Sequence, residues 1–325
     1  MEFIKSLGYL LIFPGFIFAI FMGLLLAGVD RKIVARMQRR VGPKITQPFY
    51  DFIKLVGKDT IVPRNANEKL FLFAPVLAIV SICIVPIFLP IYNNYFVSGT
   101  ADIVVIIYLL VVPAVAMIIG GMASGSPLAS IGVSREVVTM IAYELPLIIS
   151  LLAVCKKAGL LVDQGAVYSL AKISEIQQTS GSFMFELALI PAAIAMLMIL
   201  PAKVGISPFD VAEAETEICE GPLAEYSGIH LGLFKLTHSV KIYVLTALFV
   251  ALFLGNVGIT TGVVLVDFFV NVLIQIVLVI VIATVFLSVV RGLMGRYKTH
   301  QMFKFYWTIP AILSFISYIL VSINI

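Results

Sequence analysis

Long apolar runs alternate with polar connections along this chain, and the runs have the length of membrane helices. Eight are visible, at about Leu7–Val29, Leu70–Ile91, Ile103–Ala123, Val137–Val154, Phe183–Val204, Lys241–Ile259, Val263–Val290 and Phe305–Ile323. A helix needs roughly 20 apolar residues to cross the hydrocarbon core of a bilayer, and runs of this size meet that need. The fourth and fifth are the least uniform, because they contain Glu144 and Glu186. The runs follow one another nearly end to end, so residues 1–325 read as a single all-α integral membrane domain of eight transmembrane helices. The first run is too long for a secretory signal and ends in Gly-Val-Asp-Arg instead of a small-residue cleavage site, so it is expected to be retained.

The connections differ between the two sides. Those at 92–102 and 260–262 are short and 155–182 is moderate, whereas 30–69 and 205–240 are long and hold most of the charge. Of the 22 lysines and arginines, 18 follow odd-numbered runs, and only Lys5, Lys156, Lys157 and Lys172 lie on the opposite side. The positive-inside rule then puts both termini outside and the basic loops in the cytoplasm. The net charge of +4 is therefore a topology signal, and no aromatic–basic pattern points to nucleic acid. Lys32, Arg36 and Arg39 or Arg40 recur at helical spacing, which predicts that the first helix continues past the membrane until Gly42-Pro43. Pro48–Val56 reads as a short amphipathic piece at the membrane interface. Such basic loops can anchor to lipid headgroups or seat a soluble partner. Composition leaves both open. No internal repeat is visible, which argues against a stand-alone carrier built from inverted repeats.

Composition sharpens what the few charges mean. The chain is 61% hydrophobic, with a mean hydropathy of +1.10, and only 12% charged. Yet Asp210, Glu213, Glu215, Glu217, Glu220 and Glu225, a third of its 18 acidic residues, fall between the fifth and sixth runs. The nearest basic residues in sequence are Lys203 and Lys235. Crowded carboxylates raise one another's pKa values, and low-dielectric surroundings raise them further, so such a segment can hold exchangeable protons near neutral pH. A helix capped by Asp210, with Glu213 three residues on, would carry Glu213, Glu217 and Glu220 on one side and stop at Gly221-Pro222. A solvated acidic face is the plain alternative, and the residues alone weigh the two evenly.

Glu144 lies at membrane depth, where a carboxylate marks either an ion path or a partner for a lysine or arginine on another helix. Glu186 and Asp267 lie near the outer ends of their runs, and Asp102 is placed to cap a helix. Cys83, Cys155 and Cys219 are far apart, and His230, His238 and His300 have no second ligand at helical spacing, so no metal or iron–sulfur site is expected. No phosphate-binding loop, nucleophile elbow or dinucleotide fingerprint occurs.

Pro208-Phe-Asp-x-x-Glu-Ala-Glu-x-Glu217, followed by Gly221 and Glu225-Tyr-Ser-Gly228, closely resembles the signature loop of the subunit 1, or H-type, family of respiratory complex I. Asp30-Arg-Lys and Gln38-Arg-Arg-Val-Gly-Pro43 resemble its first inner loop, Tyr143-Glu144 with Arg135 its fourth helix, and Arg291, Arg296, Lys298, Gln301 and Trp307 its tail. Ser134-Arg-Glu-Val-Val-Thr139 is more similar to the membrane subunit of energy-converting, group 4 [NiFe] hydrogenases and their sulfur-reducing relatives than to the quinone-using members.

The resemblance implies a non-catalytic subunit that couples a cytoplasmic redox module to H+ or Na+ translocation. Its partners would be hydrogenase-like large and small subunits, antiporter-like membrane subunits and lipid, in a prokaryotic plasma membrane. This chain would hold no cofactor, the NiFe centre and iron–sulfur clusters lying in the partners. Glu144, Glu213, Glu215, Glu217, Glu220 and Glu225 would form a proton path that Glu136 and Glu186 can join. Asp210 would shape the loop, and Arg36, Arg39, Arg40, Arg135 and Arg296 would orient loops and dock the partner. A quinone-chamber subunit of a true complex I and an independent carrier are the alternatives.

Overall fold

A computed structural model of the chain describes residues 8, 11–91, 99–163, 165–255, 257–259 and 262–323. The start of the first apolar run, most of the 92–102 connection and positions 260–261 lie outside the described residues.

The first helix, α1 (Phe16–Met37), does continue beyond the apolar run, as its basic spacing predicts. It stops earlier than Gly42, because Arg39 turns into the left-handed region at φ 57°. The amphipathic α2 (Gln47–Val56) starts with a proline in its first turn, where the missing N–H costs nothing. Its Tyr50, Ile53 and Val56 point outward. Next come α3 (Glu68–Ile84), capped by the Asn67 side chain and extended by a 3-10 turn at Val85–Phe88, and α4 (Asp102–Ala123). Asp102 is the first residue of α4 and not its cap: the cap position is Ala101, and Asp102 accepts instead from Gly99 N, ahead of the helix, at 2.7 Å. It also reaches Ser169 Oγ at 3.2 Å and Leu170 N at 3.3 Å, so it ties down the start of another helix as well.

Three elements depart from the apolar pattern. Helix α5 (Pro127–Leu161) has 35 residues, far more than the Val137–Val154 run. Arg135 and Glu136 at one end of the apolar stretch and Lys156 and Lys157 at the other are good helix formers, and the helix runs on through them and spans about 52 Å. Part of the 155–182 connection is α6 (Leu170–Ser180). The fifth run is shortened: Phe183–Phe185 is a 3-10 turn, and α7 (Ile190–Val204) begins where a proline sits in the first turn. Its 15 residues rise only about 22 Å.

The chain closes with α8 (Gly228–Phe253), α9 (Val264–Ile282) and α10 (Thr299–Ser322). α9 continues through a π-helical stretch, Ala283–Ser288, into a last turn at Val289–Leu293. Among the described residues six helices are long and apolar enough to cross a membrane: Glu68–Phe88, Asp102–Ala123, Pro127–Leu161, Gly228–Phe253, Leu265–Leu293 and Thr299–Ser322. α1 has the length but carries Asp30, Arg31, Lys32 and Arg36, and α7 is apolar but short. The chain is thus a multi-pass helical membrane protein.

α8 is the central post, buried along nearly its whole length, with α1, α3 and α7 packed on it. Glycines set how closely α1 approaches. A Cβ at Gly23 would lie 2.8 Å from Val240 Cα, and one at Gly28 would lie 1.9 Å from the Ile45 carbonyl. Gly28→Ala is therefore expected to cost about 1–3 kcal/mol by overpacking. Gly57→Ala, whose Cβ meets nothing nearer than 3.8 Å, is expected to stay near neutral. Unfolding midpoints in detergent compare the two.

Candidate functional site: an acidic turn beside buried ion pairs

Residues 205–227 leave α7 through Gly205, whose φ of 88° only glycine adopts easily, and fold back to the start of α8. The capped helix expected from Asp210 does not form. Instead Glu215–Ile218 makes one α-helical turn, followed by a 3-10 turn at Gly221–Leu223. The cap is unavailable because Asp210 is already engaged: Arg296 Nε and Nη2 donate to its two oxygens at 2.8 and 2.7 Å, and Ser207 Oγ adds 2.8 Å. The turn then ends before Gly221-Pro222, because Cys219, Glu220 and Gly221 all take left-handed φ values of 49°, 66° and 50°. Cys219 is exposed here, whereas Cys83 and Cys155 are buried.

Two glycines make room for this turn. A Cβ at Gly132 of α5 would lie 2.5 Å from Pro222 Cδ, and one at Gly121 of α4 would lie 3.0 Å from Pro222 Cβ. The far end is pinned by the Tyr226-Ser227-Gly228 part of the motif. Tyr226 stacks on Phe71 at 4.0 Å and donates to the Phe71 carbonyl at 3.0 Å. Ser227 Oγ accepts from Ile61 N at 2.8 Å, and Gly228 at φ 56° faces the Asp59 carbonyl too closely for a side chain.

The acidic segment is better balanced than its sequence neighbours indicate. Arg296 pairs with Asp210 at 2.7 Å, Arg135 with Glu217 at 2.5 Å and Lys235 with Glu220 at 3.9 Å. Glu215, Glu217 and Glu225 are exposed. They read as the solvated face that was the plain alternative, whereas Glu213 is half-buried and, among the described residues, has no ion pair within 4 Å. Glu213, Glu217 and Glu220 do not share one helical side, since Glu213 lies ahead of the helical turn and Glu220 beyond it.

The two carboxyls nearest the inner end of the turn behave oppositely. Burial, reinforced by the negative charges of Glu136, Asp210 and Glu220 against the opposing Lys241, pushes Glu213 up to about 7. Burial also acts on Asp210, but the hydrogen bonds from Arg296 and Ser207 outweigh it and hold that carboxyl below its ordinary value. Because Glu213 binds its proton more tightly folded than unfolded, its ionisation weakens the fold as pH rises from the ordinary 4.5 towards about 7. Its protonated-carboxyl infrared band is expected to titrate near pH 7 in wild type and lower in Glu220→Gln, which removes a negative neighbour.

Beneath the turn lies a second group of charges. Lys203, 3% exposed in the last turn of α7, donates to Glu144 of α5 at 2.6 Å and sits 5.1 Å over the Tyr143 ring. Glu136, on the same helix as Glu144, and Lys241 on α8 are both buried. Neither lysine stood out in the sequence, where both count as ordinary charges flanking apolar runs. The signal was present, since Lys203 closes one run and Lys241 opens another.

A cavity of about 420 Å³ opens beside the turn, between α1, α2 and α8. Glu213, Glu215, Glu220, Lys235, Lys241 and Asp210 are among the residues that line it. Its wall mixes these charges of both signs with apolar side chains, among them Leu24, Phe52, Leu55, Met117 and Phe234. Arg36, Arg39 and Arg40 are exposed and lie outside it, as does Glu186, which pairs with Lys157 at 3.2 Å near the other end of α5. Among the described residues no three His, Cys, Asp or Glu side chains are arranged to hold a metal.

A bundle of membrane-length helices that sets an acidic turn near a buried lysine–glutamate pair defines a multi-pass membrane protein with charge placed inside it. The sequence pattern of the NADH dehydrogenase family matches residues 10–322, so the chain belongs to that family. It is 35% identical over 250 residues to hydrogenase-4 component C of Escherichia coli strain K12, covering 76% of each chain. It is 33% identical to the H-type subunit of NADH-quinone oxidoreductase from Thermomicrobium roseum, covering 70% of this chain and 72% of that one. A chain in the solved membrane-bound sulfane sulfur reductase, an archaeal respiratory membrane complex, superposes with a TM-score of 0.85 and 28% identity, over 98% and 99% of the two chains. The chain is thus a membrane subunit of the hydrogenase-like, complex I-related kind.

Proposed function

We propose that this chain passes the redox state of a partner module to ion-translocating membrane subunits, with Glu213 as the point where protons respond. The observation that carries this reading is a carboxyl on the cavity wall, Glu213, pushed up to about 7 by burial and by Glu136, the residue on α5 whose charge also reaches the buried Glu144–Lys203 pair. The path runs from Glu213 through Glu136 to Glu144. The exposed Glu215 serves the mouth of the cavity, and the exposed Glu217 and Glu225 serve the docking face alongside Arg36, Arg39 and Arg40. Asp210, Arg135 and Arg296 hold the turn in shape. Glu186, already paired with Lys157 at the opposite end, lies off the path.

The topology goes with this reading: eight crossings, both termini outside and the acidic turn on the cytoplasmic side, where large and small subunits carrying the NiFe and iron–sulfur centres would dock. α1 crosses with its charged last turns in the cytoplasmic interface, and the short α7 is completed by the turn at 183–189.

In the intact complex in proteoliposomes, Glu213→Gln and Glu144→Gln are each expected to lower ions moved per electron by about tenfold or more. An unchanged ratio in both variants rejects the path.

A further inference from the structure

At the end of α8 away from the acidic turn, about 39 Å along that helix, a small cavity lies between α6, α8 and α9. Ser174 of α6, Ala251, Leu254 and Gly255 at the end of α8, and Asn271 and Gln275 of α9 line it. Two of the buried polar side chains here are satisfied by the protein. Gln177, fully buried, donates to the Ala251 and Leu252 carbonyls at 3.2 and 2.9 Å and accepts from Gly255 N at 2.8 Å. Asn271 accepts from Ile259 N at 2.8 Å and donates to the Ile259 carbonyl at 3.1 Å. Two others on the cavity wall are not satisfied. Ser174 is 1% exposed, and its Oγ has no hydrogen-bond partner. Gln275, half-buried on α9, makes no hydrogen bond among the described residues.

A hydroxyl or amide without a partner is costly inside a membrane protein, where bulk solvent does not reach it. The cavity has about 20 Å³ of room for a water, and one water needs roughly 10–15 Å³ and two to four polar partners. That volume excludes any larger ligand. We propose that the cavity binds one water molecule, which bridges Ser174 Oγ on α6 to the Gln275 amide on α9. Water donates and accepts, so it serves a hydroxyl and an amide at once. Asn271, one turn before Gln275, adds a further amide to the same wall. The bridge matters because α9 with its extension is the least buried of the six membrane-length helices, so little apolar packing holds it. Asn271 already ties α9 to Ile259, just after α8, and Gln177 ties α6 to the end of α8. The water closes this set by fastening α9 to α6. It takes no part in the proton path proposed above.

A density map of the intact complex, at a resolution that shows ordered water, tests this directly. The expected result is one peak about 2.7–3.2 Å from both Ser174 Oγ and the Gln275 amide. The peak is expected to vanish in Ser174→Val, which removes the hydroxyl and fills part of the cavity. No peak in wild type overturns the proposal, as does a direct Ser174–Gln275 bond or a bond from Ser174 Oγ to a carbonyl of its own helix. A peak ringed by oxygens at about 2.3–2.6 Å is a metal cation and overturns it too. Unfolding midpoints in detergent supply a second reading. Ser174→Ala is expected to lower the midpoint by a few degrees in wild type and to change it little in Gln275→Leu, because one water links the two side chains. Additive shifts overturn the bridge.

Discussion

Lys203→Met is expected to destabilise the protein by about 3–5 kcal/mol, because it leaves the Glu144 carboxylate buried without its cation. The 2.6 Å contact is almost closed to solvent on the lysine side, and the second Glu144 oxygen already lacks a hydrogen-bond partner. Glu144 would then be forced to take up a proton, or α5 and α7 would separate to admit water. The double variant Lys203→Met with Glu144→Gln removes both charges and is expected to recover most of the loss, since a buried pair replaced as a unit is often neutral. Chemical denaturation of the four members of this cycle reads the coupling directly. Additive single effects would show that the pair carries no mutual stabilisation.

The second large effect lies at Asp210. Asp210→Ala removes three hydrogen bonds, two of them from one guanidinium, and leaves Arg296 only its contact to Thr216 at 3.2 Å. Charge-assisted, bidentate bonds are the strong ones, so a loss of about 2–3 kcal/mol is expected. The effect should be local first. Arg296 stands beside Tyr297, whose N–H donates to the Pro208 carbonyl at 2.9 Å and whose ring packs on Phe209. Releasing Asp210 should therefore free residues 206–218 before the helices loosen, seen as faster amide exchange confined to that stretch. Asp210→Asn, which can still accept from Arg296, should retain part of the order. Equal exchange in wild type and Asp210→Ala would mean that aromatic packing alone holds the turn.

Much of the helical framework is legible in the sequence because membrane-length apolar runs leave few other folds. The deviations have local causes. α5 outgrew its run because polar helix formers extend it past both ends of the apolar stretch. α7 shrank because a proline fixes its first turn, leaving the residues before it in a 3-10 turn. The acidic segment was legible as a cluster but not as a geometry. Its expected capped helix fails because Asp210 is claimed by an arginine 86 positions away, a pairing that no local spacing reports. Glu217 likewise finds Arg135 across 82 positions. The two buried lysines were hidden for a different reason: a count of basic residues by loop treats a lysine at a run's edge as topology, and only packing shows that Lys203 and Lys241 are drawn inward. Arg36, Arg39 and Arg40 remain on the exposed side, consistent with either lipid or partner contacts.

The central claim is that Glu213 exchanges a proton when the redox module turns over. Reduction of the intact complex with dithionite at pH 7, followed by infrared difference spectroscopy of the carboxyl region, tests it most directly. The account predicts a difference band in wild type that is absent in Glu213→Gln and present in Glu217→Gln. Identical difference spectra in wild type and Glu213→Gln would contradict it.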